Sequence, residues 1–168
     1  TYQNLTPSAA PYMFDIADFD LDGDLDFYVV DDGSDYMLRT ETITPDVGIT
    51  FSTVGIPGTS DNGFGGNVHI ADLDNDGDMD IAVADVDVDI PPCDSGRRLA
   101  IYENDNGSFT DPYGTTSYDW VDNSYDFGFL DINNDGLSDF LTGGCFGYGL
   151  YMSDNCDLVL SSADFDND

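Results

Sequence analysis

Ile70-Ala71-Asp72-Leu73-Asp74-Asn75-Asp76-Gly77-Asp78-Met79-Asp80-Ile81 is the stretch on which the reading of this chain turns. It recurs without gaps as Ile16-Ala17-Asp18-Phe19-Asp20-Leu21-Asp22-Gly23-Asp24-Leu25-Asp26-Phe27 and as Phe129-Leu130-Asp131-Ile132-Asn133-Asn134-Asp135-Gly136-Leu137-Ser138-Asp139-Phe140. A fourth copy starts at Ser162 and runs through Asp164, Asp166 and Asp168, where the sequence stops. From Asp18 to Asp72 is 54 residues, and from Asp72 to Asp131 is 59. The shared pattern is D-x-[DN]-x-D-G-x-x-D. Side chains at positions 1, 3 and 5 of a tight loop converge on one point, and Gly at position 6 permits the sharp turn. The carbonyl at position 7 and the Asp at position 9 complete an oxygen cage. Hard oxygen ligands in a flexible cage favour Ca²⁺ over the smaller Mg²⁺.

The pattern therefore predicts three Ca²⁺ sites. Asp18, Asp20, Asp22 and Asp26, with the carbonyl of Asp24, form the first. Asp72, Asp74, Asp76 and Asp80, with the carbonyl of Asp78, form the second. Asp131, Asn133, Asp135 and Asp139, with the carbonyl of Leu137, form the third. One D-G turn alone would be read as a turn former; three copies in register argue for metal. Asp164, Asp166 and Asp168 make a half-site without its Gly or ninth ligand, expected to stay metal-free unless another segment supplies oxygens.

An EF-hand would need a Glu at position 12 and flanking helices. Position 12 is Val29, Val83 and Thr142. The flanks 12–16, 67–70 and 125–129 upstream, and 26–31, 80–85 and 139–142 downstream, are short, β-branched and aromatic, so they read as strands. Segments 36–40, 99–103 and 149–153 are third strands, 49–54 and 108–110 fourth strands, and Asn104-Asp105-Asn106-Gly107 a turn. Segment 157–162 fits either the last strand of the third unit or the first of the next. Four strands per 54 to 59 residues, repeated, predict an all-β chain of β-propeller blades, each with its acidic loop between the first two strands.

Composition agrees with metal loops. Of 35 acidic residues only Glu41 and Glu103 are Glu, against three Arg and no Lys, for a net charge of −32. Asp is the short carboxylate of turns and metal loops. Such a chain will not grip nucleic acid or an anionic membrane through its charge. Its 40% hydrophobic and 13% aromatic content argue against disorder, and no apolar run reaches the ~18 residues of a membrane helix. With one His and no CxxC among Cys93, Cys145 and Cys156, a zinc site is not expected.

The chain resembles the FG-GAP/VCBS repeat family. The resemblance is closest at Phe64-Gly65-Gly66-Asn67-Val68-His69-Ile70-Ala71-Asp72, with Phe-Gly ahead of the loop, and at Leu99-Ala100-Ile101-Tyr102-Glu103-Asn104-Asp105-Asn106-Gly107-Ser108-Phe109. Such repeats build Ca²⁺-loop propellers in integrin α-subunit heads and secreted bacterial surface proteins. The resemblance covers about residues 12–168 and implies blades at about 10–58, 62–115 and 120–160, with a truncated loop at 162–168. The first and third units lack the Phe-Gly, which favours the looser bacterial type. About three blades cannot close a ring of four to eight, so the expectation is a piece of a longer chain or a subunit completed by neighbours. The blade arrangement favours a Cys93–Cys145 bridge over Cys145–Cys156; three free thiols remain the alternative.

The functional expectation is a secreted or cell-surface Ca²⁺-binding adhesion or scaffold module for a protein or glycan ligand. It has no nucleic-acid partner and no membrane insertion, and the chain is not an enzyme. One alternative is a self-assembling fibre or shell subunit; the other is part of a secreted glycan-active enzyme. Asp85 to Arg98, with Pro91-Pro92 and Arg97-Arg98, is the long loop best placed to carry contacts. Trp120, Tyr118 and Tyr125 are stacking candidates for sugar, read first as blade packing. His69 reads as a packed strand residue rather than a general base.

Overall fold

The computed structural model describes residues 11–31, 34–56, 64–86, 97–110, 124–144, 147–154 and 157–163. Its strands form three four-stranded antiparallel sheets, and among the described residues there is no helix. The first sheet is β1 (Pro11–Ala17), β2 (Asp26–Asp31), β3 (Tyr36–Thr44) and β4 (Gly48–Gly55). The second is β5 (Phe64–Ala71), β6 (Asp80–Val86), β7 (Arg97–Asp105) and β8 (Ser108–Thr110). The third is β9 (Ser124–Leu130), β10 (Asp139–Gly144), β11 (Gly147–Asp154) and β12 (Asp157–Ala163). Strand order within each sheet follows the chain, so each is a simple meander.

The expected strands are all present, mostly with longer ends. Segment 157–163 pairs with β11 and is the fourth strand of the third sheet, which decides the alternative left open by sequence. The expected long loop is shorter than its sequence looked. Asp85 pairs with Arg98 and Val86 with Arg97, because the β6–β7 ladder continues past the apolar run. The intervening 87–96, the three cysteines, Tyr118, Trp120 and the half-site at 164–168 lie outside the described residues.

Strand register sets the loops. Ala17 pairs with Asp26, Ala71 with Asp80 and Leu130 with Asp139. Each acidic loop is therefore an eight-residue connection whose ninth-position Asp stands opposite the residue before the loop.

The sheets stack face to face in chain order, and side-chain alternation shows it. On β2, Tyr28 and Val30 turn toward the second sheet and join Met37, Val68, Ile81, Val83 and Tyr102 in one core. On β6, the next residues along, Ala82 and Ala84, turn the other way and meet Phe127 and Phe140 of the third sheet. Small alanines opposite phenylalanines let the two faces interdigitate. The second sheet is covered on both faces, so Ile81 through Ala84 are all buried. Position 2 of each loop follows the same logic. Phe19 is fully buried with its ring 5.5 Å from that of Phe109, and Leu73 is buried in the second core. Ile132, with no following sheet among the described residues, is exposed. The other face of the first sheet holds Phe14, Phe27, Val29, Tyr36 and Leu38 around an apolar groove of about 410 Å³.

Ile81→Ala opens a cavity in the shared core and is expected to cost about 2–5 kcal/mol. Leu141→Ala, on a half-exposed side chain of β10, should cost less than about 1 kcal/mol. Urea midpoints at unchanged m-value compare the two; equal losses would contradict the stacked arrangement.

Candidate metal centre

The three acidic loops share one backbone. Position 4 lies in the left-handed region in each, with φ of 57° at Leu21, 62° at Asn75 and 60° at Asn134. Position 6 does so too, at 96° for Gly23, 99° for Gly77 and 91° for Gly136. Glycine and asparagine accept this conformation readily; Leu21 adopts it at a cost of about 1 kcal/mol. The loop shape is thus imposed by the closure between two paired strands, with Leu21 following the fold against its own preference.

Within the first loop, Asp18 Oδ1 accepts from Asp22 N and Oδ2 from Gly23 N, each at 3.0 Å. The third loop repeats this with Asp131, Asp135 N (3.1 Å) and Gly136 N (3.0 Å). In the second loop Asp76 N donates to Asp74 at 3.1 Å and Asp78 N to Asp76 at 2.9 Å. The carboxylates of Asp18, Asp20 and Asp22 come within 4.8 Å of one another, as do those of Asp72, Asp74 and Asp80. Among the described residues the third loop forms no such carboxylate group, since its position 3 is Asn133, whose amide pairs with Asp135 at 2.7 Å.

Two carboxylate oxygens fit a cation. Asp20 Oδ1 and Asp72 Oδ1 are buried and accept no hydrogen bond. A buried carboxylate oxygen without a donor is costly unless something positive completes it. The donors around it are all hard oxygens, the chemistry that suits Ca²⁺.

The ninth-position aspartates do something the repeat pattern did not reveal. Asp26, Asp80 and Asp139 are completely buried. Asp26 accepts from Phe19 N at 3.2 Å and from Thr40 N at 2.7 Å. Asp80 accepts from Leu73 N at 2.7 Å and from Asn104 N at 2.9 Å. Asp139 accepts from Ile132 N at 2.9 Å. In the first two sheets, then, this residue ties the start of its loop to the third strand. Asp80 also belongs to the second carboxylate group, while the first is formed by Asp18, Asp20 and Asp22, with Asp26 near enough that, beside burial, the charges of Asp20 and Asp22 raise its pKa.

Sequence reasoning also passed over Asn104 and Arg39. Asn104 Nδ2 donates to Phe19 O of the first loop at 2.8 Å and to Met79 O of the second at 3.2 Å. Its Oδ1 accepts from Gly107 N at 2.8 Å, holding the expected turn, whose Asn106 and Gly107 both have positive φ. Asp78, expected to contribute only a carbonyl, also accepts from Asn106 N at 2.6 Å. Arg39 Nε lies 3.2 Å from Asp20 Oδ2, and its Nη2 donates to Gly107 O at 3.1 Å. The only sequence signal for Asn104 was its place in the turn. His69 sits between sheets, with its ring edge-on to Phe127 at 5.0 Å and Nε2 3.6 Å from Asp126.

Residues 18–83 match the family model of the FG-GAP-like repeat, in accord with the resemblance drawn from the loops. The matched stretch holds the first two loops and the strands between them; the third loop lies beyond it. No curated protein and no solved structure matches the chain.

Burial pushes the Asp80 carboxyl up to about 6, against the opposing pull of the Asn104 and Leu73 amides. Burial raises Asp26 and Asp74 as well. A carboxyl with a folded pKa above its unfolded 3.8 takes up a proton on folding, so stability falls as pH rises from 3.8 to about 6. In chelator, the urea midpoint is expected to drop across that window. Excess Ca²⁺ should flatten the slope, because an ion holds the carboxylates ionised. A chelated protein whose stability rises through the window would contradict the assignment.

Proposed function

We propose that the chain is a β-propeller-type repeat module, rigidified by Ca²⁺ in its acidic loops, that serves outside the cell as an adhesion or ligand-binding scaffold. The observation that carries the reading is one loop backbone formed three times, with orphaned buried carboxylate oxygens in two of the loops. The FG-GAP-like repeat match supports the propeller-type architecture. The ion's part is structural and non-catalytic. The first loop would hold it with Asp18, Asp20 and Asp22, the second with Asp72, Asp74 and Asp80; Asp26 and Asp76 stand at the remaining pattern positions. The third loop, through Asp131, Asn133, Asp135 and Asp139, has one fewer carboxylate. Bound Ca²⁺ supplies positive charge where carboxylates otherwise repel one another. Loops of this grade suit the millimolar Ca²⁺ found outside cells.

Binding to the folded state alone stabilises by RT ln(1 + [L]/Kd), about 1–3 kcal/mol per site at millimolar Ca²⁺. The melting temperature is expected to fall markedly in EDTA, to recover with Ca²⁺ and to recover much less with Mg²⁺. An unchanged melting temperature in EDTA would sink the metal reading.

A second reading, a subunit whose stack is continued by a neighbouring chain, is favoured by the apolar groove on the first sheet. Phe27 and Val29 there occupy the repeat positions of Ile81 and Val83, which the preceding sheet covers. Sedimentation at rising concentration separates the two readings. Ca²⁺-dependent growth beyond a monomer supports the subunit, and a constant monomer mass removes it.

A further inference from the structure

We infer that Arg39 is a built-in competitor for the cation at the first loop, so that the second loop fills before the first. The inference rests on the Ca²⁺ reading above and adds a residue that sets the relative affinity of the sites. Asp20, position 3 of the first loop, presents two oxygens. Oδ1 is buried without a partner, and Oδ2 faces the Arg39 guanidinium at 3.2 Å. A divalent ion drawn to Asp20 therefore meets a fixed positive charge on the same carboxylate. That charge is held in place from behind, because Nη2 donates to Gly107 O across the interface with the second sheet. Adding a side chain at Gly107 would bring a Cβ within 2.9 Å of Arg39 Nη2 and of Asp20 Cβ, so the turn and the guanidinium fill the space beside the loop.

At the matching register position the second sheet carries a residue of opposite charge. Leu38 pairs with Phe27, and Tyr102 with Ile81, at matching repeat positions. Thr40 N and Asn104 N both donate to the ninth-position Asp of their own sheet. The residue between, Arg39 in the first sheet, is therefore Glu103 in the second. Of the other two cations in the chain, Arg97 and Arg98 enter β7 opposite Val86 and Asp85, at the end of that strand away from the loop. One loop thus carries a guanidinium beside its carboxylates and the other an added carboxylate at the same register position. A unit charge about 6 Å from a divalent ion in a water-like medium changes its affinity about tenfold.

The test is a Ca²⁺ titration of the full chain followed by ¹H–¹⁵N spectra, with the position-6 amides of Gly23 and Gly77 reporting each loop separately. In the wild type Gly77 is expected to respond at more than about tenfold lower Ca²⁺ than Gly23, the product of the two charge effects. Arg39→Gln keeps a donor for Gly107 O and removes the charge. It should shift the Gly23 midpoint about tenfold lower and leave Gly77 in place, while Arg39→Lys stays near wild type. Glu103→Gln approaches from the other side and should weaken the Gly77 response severalfold without moving Gly23. A Gly23 midpoint unchanged in Arg39→Gln, with Gly77 still responding, overturns the inference alone. If neither glycine responds to Ca²⁺ in the wild type, the Ca²⁺ reading falls and this inference with it.

Discussion

In the first two sheets a fully buried carboxylate accepts one backbone amide from the start of its own loop and another from the third strand of its own sheet. Asp26 does this with Phe19 and Thr40, and Asp80 with Leu73 and Asn104. The bond pair fixes three things together: where the loop begins, how the third strand is placed, and which way position 2 projects. Position 2 is Phe19 or Leu73, each buried at an inter-sheet core. A polar contact inside one sheet therefore sets the apolar contact between sheets. Two charge-assisted hydrogen bonds offset only part of the cost of burying the carboxylate, since burial still raises both carboxyls.

The arrangement concentrates negative charge where the strands are best packed. The first two loops gather carboxylates at the ends of hairpins whose opposite faces are committed to apolar cores. Asn104 reaches from the second sheet to Phe19 O and Met79 O, so the two loops lean on one side chain. Arg39 extends the same seam by joining Asp20 to the Gly107 carbonyl. The surface between the first two sheets is thus polar at the loops and apolar beneath them, and the loops hold the edge of the stack.

Much of this was legible in the chain. The D-x-[DN]-x-D-G-x-x-D pattern located all three loops and the strands that flank them. Its glycines announced the left-handed residue at position 6, since few other residues tolerate that φ. Hidden from that reading was the second duty of the ninth Asp. A pattern lists a residue once, and nothing in spacing says that a carboxylate meets an amide from a strand 14 residues away, as Asp26 meets Thr40. The extent of the Asp85–Arg98 segment was misjudged for a related reason. Polar residues at a strand end look like loop until a partner strand pairs with them.

The sequence by itself determined the loops, the meander of each sheet and the alternation of apolar residues, because these depend on local turn chemistry and a period of two. Only the tertiary structure decided which face of each strand meets which neighbour, and that β12 completes the third sheet rather than opening another. It also decided that Arg39 and Glu103 occupy equivalent register positions in the third strands of the first two sheets. The first arises from the stacking of residues far apart in the chain and the other two from strand pairing within a sheet, and no single motif encodes either.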